Sequence, residues 1–570
     1  MCGIWGLIFD KSNIDEKMDN VKMYMASSRI SHRGPDRSDF RHIRGNSVDT
    51  MLGFHRLAIM DRSVNGDQPF VQDLHDGPAH RTIYCMVNGE IYNYSDLKQL
   101  HKLEPRSRSD CEVVPLLYIQ YGFDKMIRML SGEFAIALFD INHTDNTIQL
   151  YLARDPLGVR PLYVGTTNHS IAFSSELKGL VGITDHCSVN QLPNGTYLLF
   201  ESSMNRMKTP VKYLLNTDKY FYIEPRSFVS GTQYEHMTQI RHTLENAVIS
   251  RLITERPLGF LLSGGLDSSL VVSIAAKYMK TFKKQIYTFS IGIPGSTDRE
   301  YAQMVADYCG TIHQHIEFSE KQFIDAIPDV IRCIESYDLT TVRASTGQYL
   351  ISQYISQHTD IKVLLIGDGA DELCSGYMYF HNAPNPDTSH QENIRLLEEI
   401  RYYDVLRADR GVAGNGLEAR VPFLDPAFVH TYLSIDPALR IPIYHEQSGR
   451  NVEKYLLRMS FDKSITDVDY LPAEVLWRKK EAFSDGVSSR EKSWFKIIQD
   501  NVEGLYSDED LKHASTMQYN PPYTKEGLYY RELYENDFMG MAHTIPHMWL
   551  PLWCGDVKDP SARVLTNYSS

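Results

Sequence analysis

The sequence predicts an α+β layered domain over residues 1–205, followed by an α/β doubly wound parallel-sheet domain over residues 235–550. At 570 residues the chain is longer than one hydrophobic core supports, so at least two domains are expected. Strand patterns with hairpin signals dominate the first part, whereas helical patterns alternate with short apolar strands in the second. Residues 206–234 have weak periodicity and are predicted to be a linker, and residues 551–570 are predicted to be a C-terminal tail.

In the first part, each predicted strand is a short apolar run bounded by turn residues. A turn at residues 143–146 joins the last two of these strands into a hairpin. Strands joined by hairpins, with helices kept apart from them, are typical of a layered α+β domain. The predicted strands are residues 2–9, 51–61, 82–88, 132–140 and 147–153, and the clearest helix is residues 111–121.

In the second part, apolar strands are predicted at residues 258–262, 286–293 and 362–366. Each strand is followed by small or acidic residues, and helical patterns separate one strand from the next. This order is typical of a doubly wound parallel sheet, in which ligands bind at the carboxyl ends of the strands.

Composition excludes several classes of function. A formal net charge of −14 provides no basic excess for non-specific binding to nucleic acid. The sequence has no apolar run of transmembrane length and no secretory signal pattern, so no membrane association is expected. Eight scattered cysteines without a C-x-x-C pair are typical of a reduced protein, which predicts a cytoplasmic location.

The loop after the strand at residues 258–262 has the features of a phosphate-binding site. Ser263-Gly264-Gly265 leads into a helical pattern over residues 268–279, so backbone N–H groups and a helix N-terminus can face an anion. Asp267 in the same loop predicts Mg²⁺ between the protein and the phosphates. The loop lacks Gly-Lys-Ser/Thr and is therefore not a Walker A motif. A strand-to-helix turn without a ligand is the structural alternative.

Cys2 is a candidate nucleophile because removal of Met1 would leave a thiol and a free α-amine on one residue. An α-amine has a pKa near 8, so it can act as general base for the thiol of the same residue. The alternative is a buried cysteine in a strand, which is the commonest environment for an unpaired cysteine.

Five motifs occur in order in the first part of the chain: Met1-Cys2-Gly3-Ile4-Trp5-Gly6, His32-Arg33-Gly34-Pro35-Asp36, His55-Arg56-Leu57 with Asp61, Val87-Asn88-Gly89-Glu90-Ile91-Tyr92-Asn93, and Ser109-Asp110-Cys111-Glu112. In these five motifs, the first part of the chain resembles class II glutamine amidotransferases. The members of that family are N-terminal nucleophile hydrolases with an αββα layered fold. The resemblance implies that Cys2 is the nucleophile and that the Asn88 side chain and the Gly89 N–H form the oxyanion hole. It also implies that glutamine is bound by Arg56, Ile59, Glu90 and Asp110.

The loop Ser263-Gly264-Gly265-Leu266-Asp267-Ser268 resembles the pyrophosphate loop of enzymes that cleave ATP to AMP and pyrophosphate. An amidotransferase part followed by this loop resembles the glutamine-hydrolysing asparagine synthetases. Further motifs of that family are Ile334-Glu335-Ser336-Tyr337-Asp338, Arg343-Ala344-Ser345-Thr346, Gly416 to Asp425, Trp477-Arg478-Lys479-Lys480-Glu481 and Phe483-Ser484-Asp485-Gly486. The family resemblance implies that aspartate, glutamine and ATP are substrates and that β-aspartyl-AMP is the intermediate. It also implies that a homodimer is possible.

The same resemblance assigns residues in the second part. Asp267 and Asp371 are implied as Mg²⁺ ligands, Lys480 faces the phosphates, and Thr341 and Arg343 contact aspartate or the intermediate. The residues implied in ATP binding are Leu262, Ser263, Gly264, Gly265, Asp267, Ser268, Ile291, Ile366 and Gly367. Asp338, Arg420 and Asp425 have two interpretations, a role near the substrates or an internal ion-pair network.

Asp368 stands where the family usually has the glutamate that takes a proton from the attacking ammonia. Aspartate is one methylene shorter, and a general base must reach its proton directly or through one water.

Two alternatives to asparagine synthesis stay open. One is another ATP-dependent amide-forming enzyme such as a β-lactam synthetase-like cyclase, against which Cys2, Arg56 and Asn88 argue. The other is a non-catalytic or regulatory paralogue that binds glutamine or ATP.

Overall fold

A computed structural model describes residues 1–13, 20–205, 215–446, 448–489, 491–555, 557, 559–561 and 563. Among the described residues before position 220, twelve strands form two six-stranded antiparallel sheets with the orders β10-β8-β9-β1-β3-β2 and β12-β11-β7-β6-β5-β4. The strands are β1 Gly3–Asp10, β2 Arg37–Ile43, β3 Val48–Arg56, β4 Phe70–Asp76, β5 Ala79–Ile91, β6 Gly132–Asn142, β7 Thr147–Arg154, β8 Tyr163–Thr166, β9 Ser170–Ser174, β10 Asn190–Gln191, β11 Thr196–Ser203 and β12 Leu215–Lys219.

Four helices cover the outer faces of these two sheets, which gives the predicted αββα layers. They are α1 Asn20–Ser28, α2 Tyr94–Leu100, α3 Val113–Tyr121 and α4 Phe123–Met129. One apolar cluster, which includes Ile4 and Phe139, fills the space between the sheets. A second, which includes Ile83 and Leu117, lies between the second sheet and helices α2–α4. Helix α1 packs against β3 of the first sheet.

The predicted strands and the clearest predicted helix of this part are confirmed, with a correction to the end of one strand and to the start of the helix. The strand predicted at residues 51–61 ends at Arg56, because its guanidinium binds carbonyl groups of the next residues and holds them in a loop. The helix predicted from residue 111 begins with a 3-10 turn, Asp110–Glu112, and becomes α-helical at Val113.

The second part of the chain contains a five-stranded parallel sheet with the order β15-β14-β13-β16-β17. Its strands are β13 Leu258–Leu261, β14 Tyr287–Gly292, β15 Ile312–Glu317, β16 Val363–Leu365 and β17 Glu418–Arg420, and β18 Ile443–His445 and β19 Arg450–Val452 form a separate hairpin. The first strand in sequence lies at the centre, so the strand order reverses between β13 and β16. Ligands of doubly wound sheets bind outside this switch point.

Helices surround this sheet, and the structure begins the first of them at Gln233 after a capping box formed by Thr232 and Glu235. The described helices are α5 Gln233–Ser250, α6 Leu266–Thr281, α7 Asp298–Cys309, α8 Glu320–Ile334, α9 Leu339–His358, α10 Ala370–Leu373, α11 Pro386–Glu399, α12 Asp404–Ala413, α13 Pro426–Leu433, α14 Tyr455–Ser460, α15 Ala473–Leu476, α16 Phe483–Gly486, α17 Trp494–Val502, α18 Asp508–Ala514 and α19 Lys525–Phe538. None of the helices in the described ranges has both the length and the apolarity needed to cross a bilayer.

Strand β12 lies inside the stretch predicted to be a linker. It pairs with β11 from Thr196↔Lys219 to Phe200↔Leu215 and forms the edge of the second sheet. Residues 215–219 are therefore part of the first folded unit. The segment at 206–214 lies outside the described residues.

Candidate active sites

A cavity opens at the carboxyl ends of β13, β14 and β16, where the strand order reverses. It is the place that the fold predicts for a ligand. Most residues predicted to bind ATP, metal or phosphate line it together: Leu262, Ser263, Gly265, Asp267, Ser268, Ile291, Ile366, Gly367, Asp371 and Lys480. Asp368, the predicted general base, lines it as well. These residues come from three strand ends and one distant loop, and the fold brings them to one site.

The Ser-Gly-Gly loop has the backbone geometry of a close turn into helix α6. Gly264 has φ +73°, and a Cβ there would lie 2.5 Å from the backbone nitrogen of Ala302. The Ser263 hydroxyl accepts a hydrogen bond from the N–H of Gly265 at 3.2 Å and lies 3.1 Å from the Ser268 hydroxyl. Glycine is therefore required for the turn, and the serine hydroxyls and N-terminus of α6 face the cavity, where they suit an anion.

Two lysines and two aspartates form the charged part of this cavity. The buried Lys454 ammonium lies 2.6 Å from an oxygen of Asp267 and 2.6 Å from one of Asp371, and Lys480 lies 2.5 Å from Asp371. Burial by itself raises the pKa of Asp371, but Lys454 and Lys480 hold that pKa well below its ordinary value. The Asp371 carboxylate therefore stays ionised. Two adjacent carboxylates are also a donor set that fits Mg²⁺, which prefers oxygen ligands and keeps several waters.

Asp368, in the loop at residues 366–371, contacts a second charged group of the cavity. Its carboxylate accepts from Arg407 at 2.5 Å, and the same guanidinium lies 2.6 Å from Asp404. Burial raises the pKa of Asp368, Arg407 opposes this shift, and the neighbouring carboxylates of Asp404 and Asp371 add to it. Asp368 is therefore a carboxyl group in the cavity whose pKa lies above that of an exposed aspartate.

Glu372 and Tyr377 complete this acidic side of the cavity. The Tyr377 hydroxyl donates to Glu372 and lies 3.4 Å from Asp404. Burial, followed by the charge of Asp404, raises the pKa of Glu372 well above its ordinary value. Strongly shifted carboxyl groups in a cavity are typical of sites where protons move.

In the first unit, Cys2 lies immediately before β1, and its thiol is 3.7 Å from the carbonyl oxygen of Leu57. Burial raises the pKa of this thiol, while the α-amine of Met1 lowers it. On β5, the Asn88 side chain is fully buried, and neither of its amide atoms has a hydrogen-bond partner among the described residues. Buried polar groups are normally paired, so an unpaired amide indicates a group that a ligand completes.

Gly89 follows Asn88 with φ +144°, and a Cβ at this position would lie 1.9 Å from the carbonyl oxygen of Glu133. Only glycine fits this backbone, which lies within β5 and pairs with Phe134 of β6. Arg56 donates to the carbonyl oxygens of Met60 and Ser63 and to Asp67, with Asp67 at 2.5 Å. Ile59 is buried in the same loop.

Glu90 and Asp110 form a buried acidic pair close to Glu418 and Arg420 of the second unit. The Asp110 carboxylate accepts from the N–H of Ile91 at 2.7 Å. Burial raises the pKa of Asp110 to about 6, although the Ile91 N–H lowers it. Burial, then Asp110 and Glu418, raise the pKa of Glu90 well above its ordinary value, and Arg420 lies 3.4 Å away. A cationic ligand group would stabilise both carboxylates.

Comparison with known proteins decides the family. A family model described as asparagine synthase matches residues 239–395 and 382–551, and one described as glutamine amidotransferase domain matches residues 1–219. The chain is 40% identical to the asparagine synthetase [glutamine-hydrolyzing] of Mus musculus, 40% to that of Rattus norvegicus and 39% to that of Homo sapiens. Each alignment covers 100% of this chain and 99% of the relative. The chain belongs to the glutamine-hydrolysing asparagine synthetase family.

Two residues assigned to asparagine synthetase substrates are not brought to the cavity. Thr341 donates from its N–H and its hydroxyl to Asp338, at 2.9 and 2.7 Å, within the first turn of α9. Arg343 is buried and forms paired hydrogen bonds with Glu526 at 2.6 and 2.7 Å and with Asp559 at 2.8 and 2.9 Å. Other residues of α9, Thr340, Ala344 and Gln348, line the cavity instead. Gly264 also lies outside the lining, where it shapes the turn.

Asp338, Arg420 and Asp425 had two interpretations, substrate contact or ion pairing. In this member of the asparagine synthetase family they belong mainly to buried networks. Arg420 pairs with Glu418 at 2.9 Å, and Arg251 joins Asp425 at 2.8 Å. Asp338 caps helix α9 and also accepts from the backbone N–H of Trp549 at 2.8 Å.

The two units are joined by buried charges that the sequence motifs did not indicate. Arg33 contacts Asp409 at 2.8 Å, and Arg160 lies 3.4 Å from the same carboxylate. Arg160 and Arg251 both pair with Glu133, at 3.0 and 2.8 Å. Because these side chains lie far apart in sequence, no local pattern could have predicted their pairing. Lys454 and Arg407 were not predicted as site residues, because an isolated basic residue in a sequence is usually solvated.

Proposed function

We propose that the protein synthesises asparagine from aspartate in an ATP-dependent reaction that takes its nitrogen from glutamine and releases glutamate, AMP and pyrophosphate. The observation that carries this proposal is the cavity at the switch point, where the Ser-Gly-Gly loop meets Lys454, Lys480, Asp267 and Asp371. That arrangement offers hydroxyl and N–H donors and two ammonium groups to a polyphosphate. The buried, unpaired Asn88 amide supports the glutaminase half of the reaction.

Glutamine hydrolysis would take place in the first unit. The Cys2 thiol gives its proton to the α-amine and attacks the side-chain amide carbon, and the resulting oxyanion accepts hydrogen bonds from the Asn88 side chain and the Gly89 N–H. The C–N bond then breaks and releases ammonia, and water hydrolyses the remaining thioester to glutamate and free Cys2. One donor placed at such an oxyanion contributes about 3 kcal/mol to catalysis. We assign glutamine binding to Arg56, Ile59, Glu90 and Asp110. Glu90 and Asp110 hold the ammonium group, which suits their shared acidic pocket.

Aspartate activation would take place in the cavity of the second unit. The aspartate β-carboxylate attacks the α-phosphorus of ATP, forming β-aspartyl-AMP as the bond to pyrophosphate breaks. Lys480 and Lys454 neutralise charge on the departing pyrophosphate, and the N-terminus of α6 donates hydrogen bonds to it. Asp267 and Asp371 would hold Mg²⁺, which when bound supplies further positive charge to the phosphates.

Asp368 would take the proton from ammonia as it attacks the intermediate. Its carboxylate lies in the cavity, and burial raises its pKa although Arg407 opposes this shift. Arg407 holds one of its oxygens at 2.5 Å, which fixes the position of the side chain despite its short reach. AMP then leaves, and asparagine is the product.

A product assay tests the proposal. Purified protein is incubated with aspartate, glutamine and Mg·ATP, and asparagine, glutamate, AMP and pyrophosphate are measured. We expect asparagine and pyrophosphate to form together, and to stop when aspartate is omitted. Binding of glutamine and ATP without any asparagine would refute the proposal and favour a regulatory role. A cyclised product from another amino-acid substrate would favour a cyclase.

We also propose a cytoplasmic location, supported by the seven described cysteines that are all free thiols, since oxidising compartments favour disulfides. A homodimer is part of the same proposal. Light scattering of the purified protein measures its mass in solution, and a single-chain mass would exclude the dimer.

A further inference from the structure

A cluster of histidines lies on the β4–β5 hairpin, away from both proposed active sites. β4 is the edge strand of the second sheet, and His75 is paired directly with His80 across the hairpin. Asp73 is paired with Thr82 in the same register. Because side chains two residues apart on a strand share a face, these four side chains lie on one face of the hairpin.

The donor atoms of three of these side chains converge. One Asp73 oxygen lies 2.8 Å from His80 Nε2, and the other lies 3.5 Å from His75 Nε2. All three donor atoms lie within 4.8 Å of one another. Ligands at 2.0–2.2 Å from a tetrahedral Zn²⁺ are separated by about 3.3–3.5 Å, so small side-chain rotations would place the three donors around one ion.

A second layer of contacts fixes the orientation of this group. The Thr82 hydroxyl donates to Asp73 at 3.0 Å, and His143 Nε2 lies 2.9 Å from the same hydroxyl. The His80 ring stacks between His75 and His143, with ring centroids 4.4 and 4.3 Å away. Ligands of protein-bound metals are typically oriented by such neighbouring hydrogen bonds.

We propose that Asp73, His75 and His80 form a surface site for one divalent transition-metal ion of the Zn²⁺ class, which fastens the end of the β4–β5 hairpin. Two imidazole nitrogens and one carboxylate oxygen suit Zn²⁺ and its first-row neighbours better than Mg²⁺ or Ca²⁺, which prefer oxygen ligands. The remaining position is open to water. This ion is separate from the Mg²⁺ proposed for the ATP cavity, because none of the three residues lines that cavity.

Equilibrium dialysis of the untagged, full-length protein against ZnCl₂ at pH 7.5 tests this site, with zinc per chain measured by atomic absorption. The double variant His75→Ala/His80→Ala should bind one Zn²⁺ fewer than the parent. Asp73→Asn, which keeps the side-chain shape, should weaken the same site at least 10-fold, and Thr82→Val should weaken it by about 10- to 100-fold. His242→Ala is the matched control, since His242 is an exposed histidine 3.5 Å from Glu245 outside the cluster.

Equal zinc content in the parent and the double variant would overturn the proposal. Circular dichroism checks that each variant is folded, and Asp73→Asn provides an independent result if the double variant is not. If neither Asp73→Asn nor Thr82→Val changes zinc affinity, the cluster is a set of hydrogen-bonded surface side chains and not a metal site. Loss of zinc binding in His242→Ala would likewise assign the ion to another place.

Discussion

At the scale of single residues, the position of the α-amine decides whether Cys2 can act with its own general base. When Met1 is present, the nitrogen of Cys2 is a peptide amide, which cannot accept a proton from the thiol. The Met1 amine is buried and donates to the carbonyl oxygen of Leu417 at 3.3 Å. Burial lowers the pKa of the Met1 amine to about 6. We therefore predict that the active protein begins at Cys2. Intact-mass measurement checks this, and full glutaminase activity in a population that retains Met1 would contradict it.

Replacement of Cys2 separates the two half-reactions. Cys2→Ala should abolish glutamine-dependent asparagine formation and leave ammonia-dependent formation within about 2-fold, because the synthetase cavity contains no residue of the first unit among its described lining. Asparagine formed with glutamine and with ammonium chloride is measured for both proteins. Loss of both activities in a folded variant would show that the two sites do not divide the reaction in this way.

The family resemblance implies that Asp368 stands in place of a glutamate, and the ratio of products reports on the role of this residue. Asp368→Asn should lower asparagine formation by about 10²-fold, since a misplaced or missing proton acceptor has effects of that size. Activation of aspartate does not need this base, so pyrophosphate should then exceed asparagine. Asp368→Glu should return the asparagine-to-pyrophosphate ratio toward one. An Asp368→Asn variant that makes asparagine as well as the parent would assign Asp368 a purely structural role beside Arg407.

At the scale of secondary-structure elements, the turn between β13 and α6 depends on one glycine. Gly264→Ala would place a Cβ 2.5 Å from backbone and side-chain atoms of α7 in a left-handed conformation. We expect the KM for ATP to rise at least 10-fold and the free energy of unfolding to fall by about 1–3 kcal/mol. Gly310→Ala is the matched control, because Gly310 also has positive φ (+68°) but nothing within 4 Å of its Cβ position. Steady-state kinetics and thermal unfolding of both variants distinguish the effect of the clash with α7 from the effect of the left-handed conformation alone. Equal effects of the two substitutions would show that α7 does not constrain the loop.

Sequence patterns predicted those elements that are determined by residues close together in the sequence. The apolar strand before Ser263, the glycine turn and helix α6 follow directly from neighbouring residues, and the structure confirms them. Strand β15 was not predicted, because polar residues such as His313 and His315 interrupt its sequence and leave no apolar run. The strand lies at the edge of the sheet. Strand β17 has only three residues, too few for a periodic signal.

Candidate site residues were predictable when they lay in a motif and not when they reached the site from elsewhere. Lys454 joins Asp267 across 187 residues of sequence, and no local pattern distinguishes it from a solvated lysine. For Arg343, the motif was visible, but its surroundings depend on Glu526 and Asp559, which lie about two hundred residues further along. Pairing over such distances is a property of the folded chain.

At the scale of the whole molecule, the buried ion pairs between the two units link the proposed glutaminase to the proposed synthetase. Ammonia released into water near pH 7 is mostly protonated and no longer nucleophilic, so transfer inside the protein would preserve it. Asp409 of the second unit binds both Arg33 and Arg160 of the first unit. All three side chains are almost completely buried, so they are poorly screened by solvent.

Removing the Asp409 charge should therefore loosen the interface and uncouple the two reactions. Asp409→Ala leaves two buried guanidinium groups with fewer partners, and we expect a loss of about 3 kcal/mol in the free energy of unfolding. The ratio of glutamate to asparagine should rise above the value of the parent, and an excess of an ammonia-consuming enzyme should suppress glutamine-dependent synthesis in the variant more than in the parent. Asp409→Asn keeps the size of the side chain and should give a smaller change in the same direction.

Lys219→Ala is the control for this prediction, because Lys219 also joins the two units, to Glu398 at 3.2 Å, but both side chains are substantially exposed. Such a pair contributes about 0–1 kcal/mol, so the product ratio and the stability should stay close to those of the parent. Product ratios are measured by amino-acid analysis, and stability by denaturant unfolding. If Asp409→Ala loses stability but keeps the parent ratio and its resistance to the ammonia trap, the buried charges stabilise the interface without contributing to nitrogen transfer.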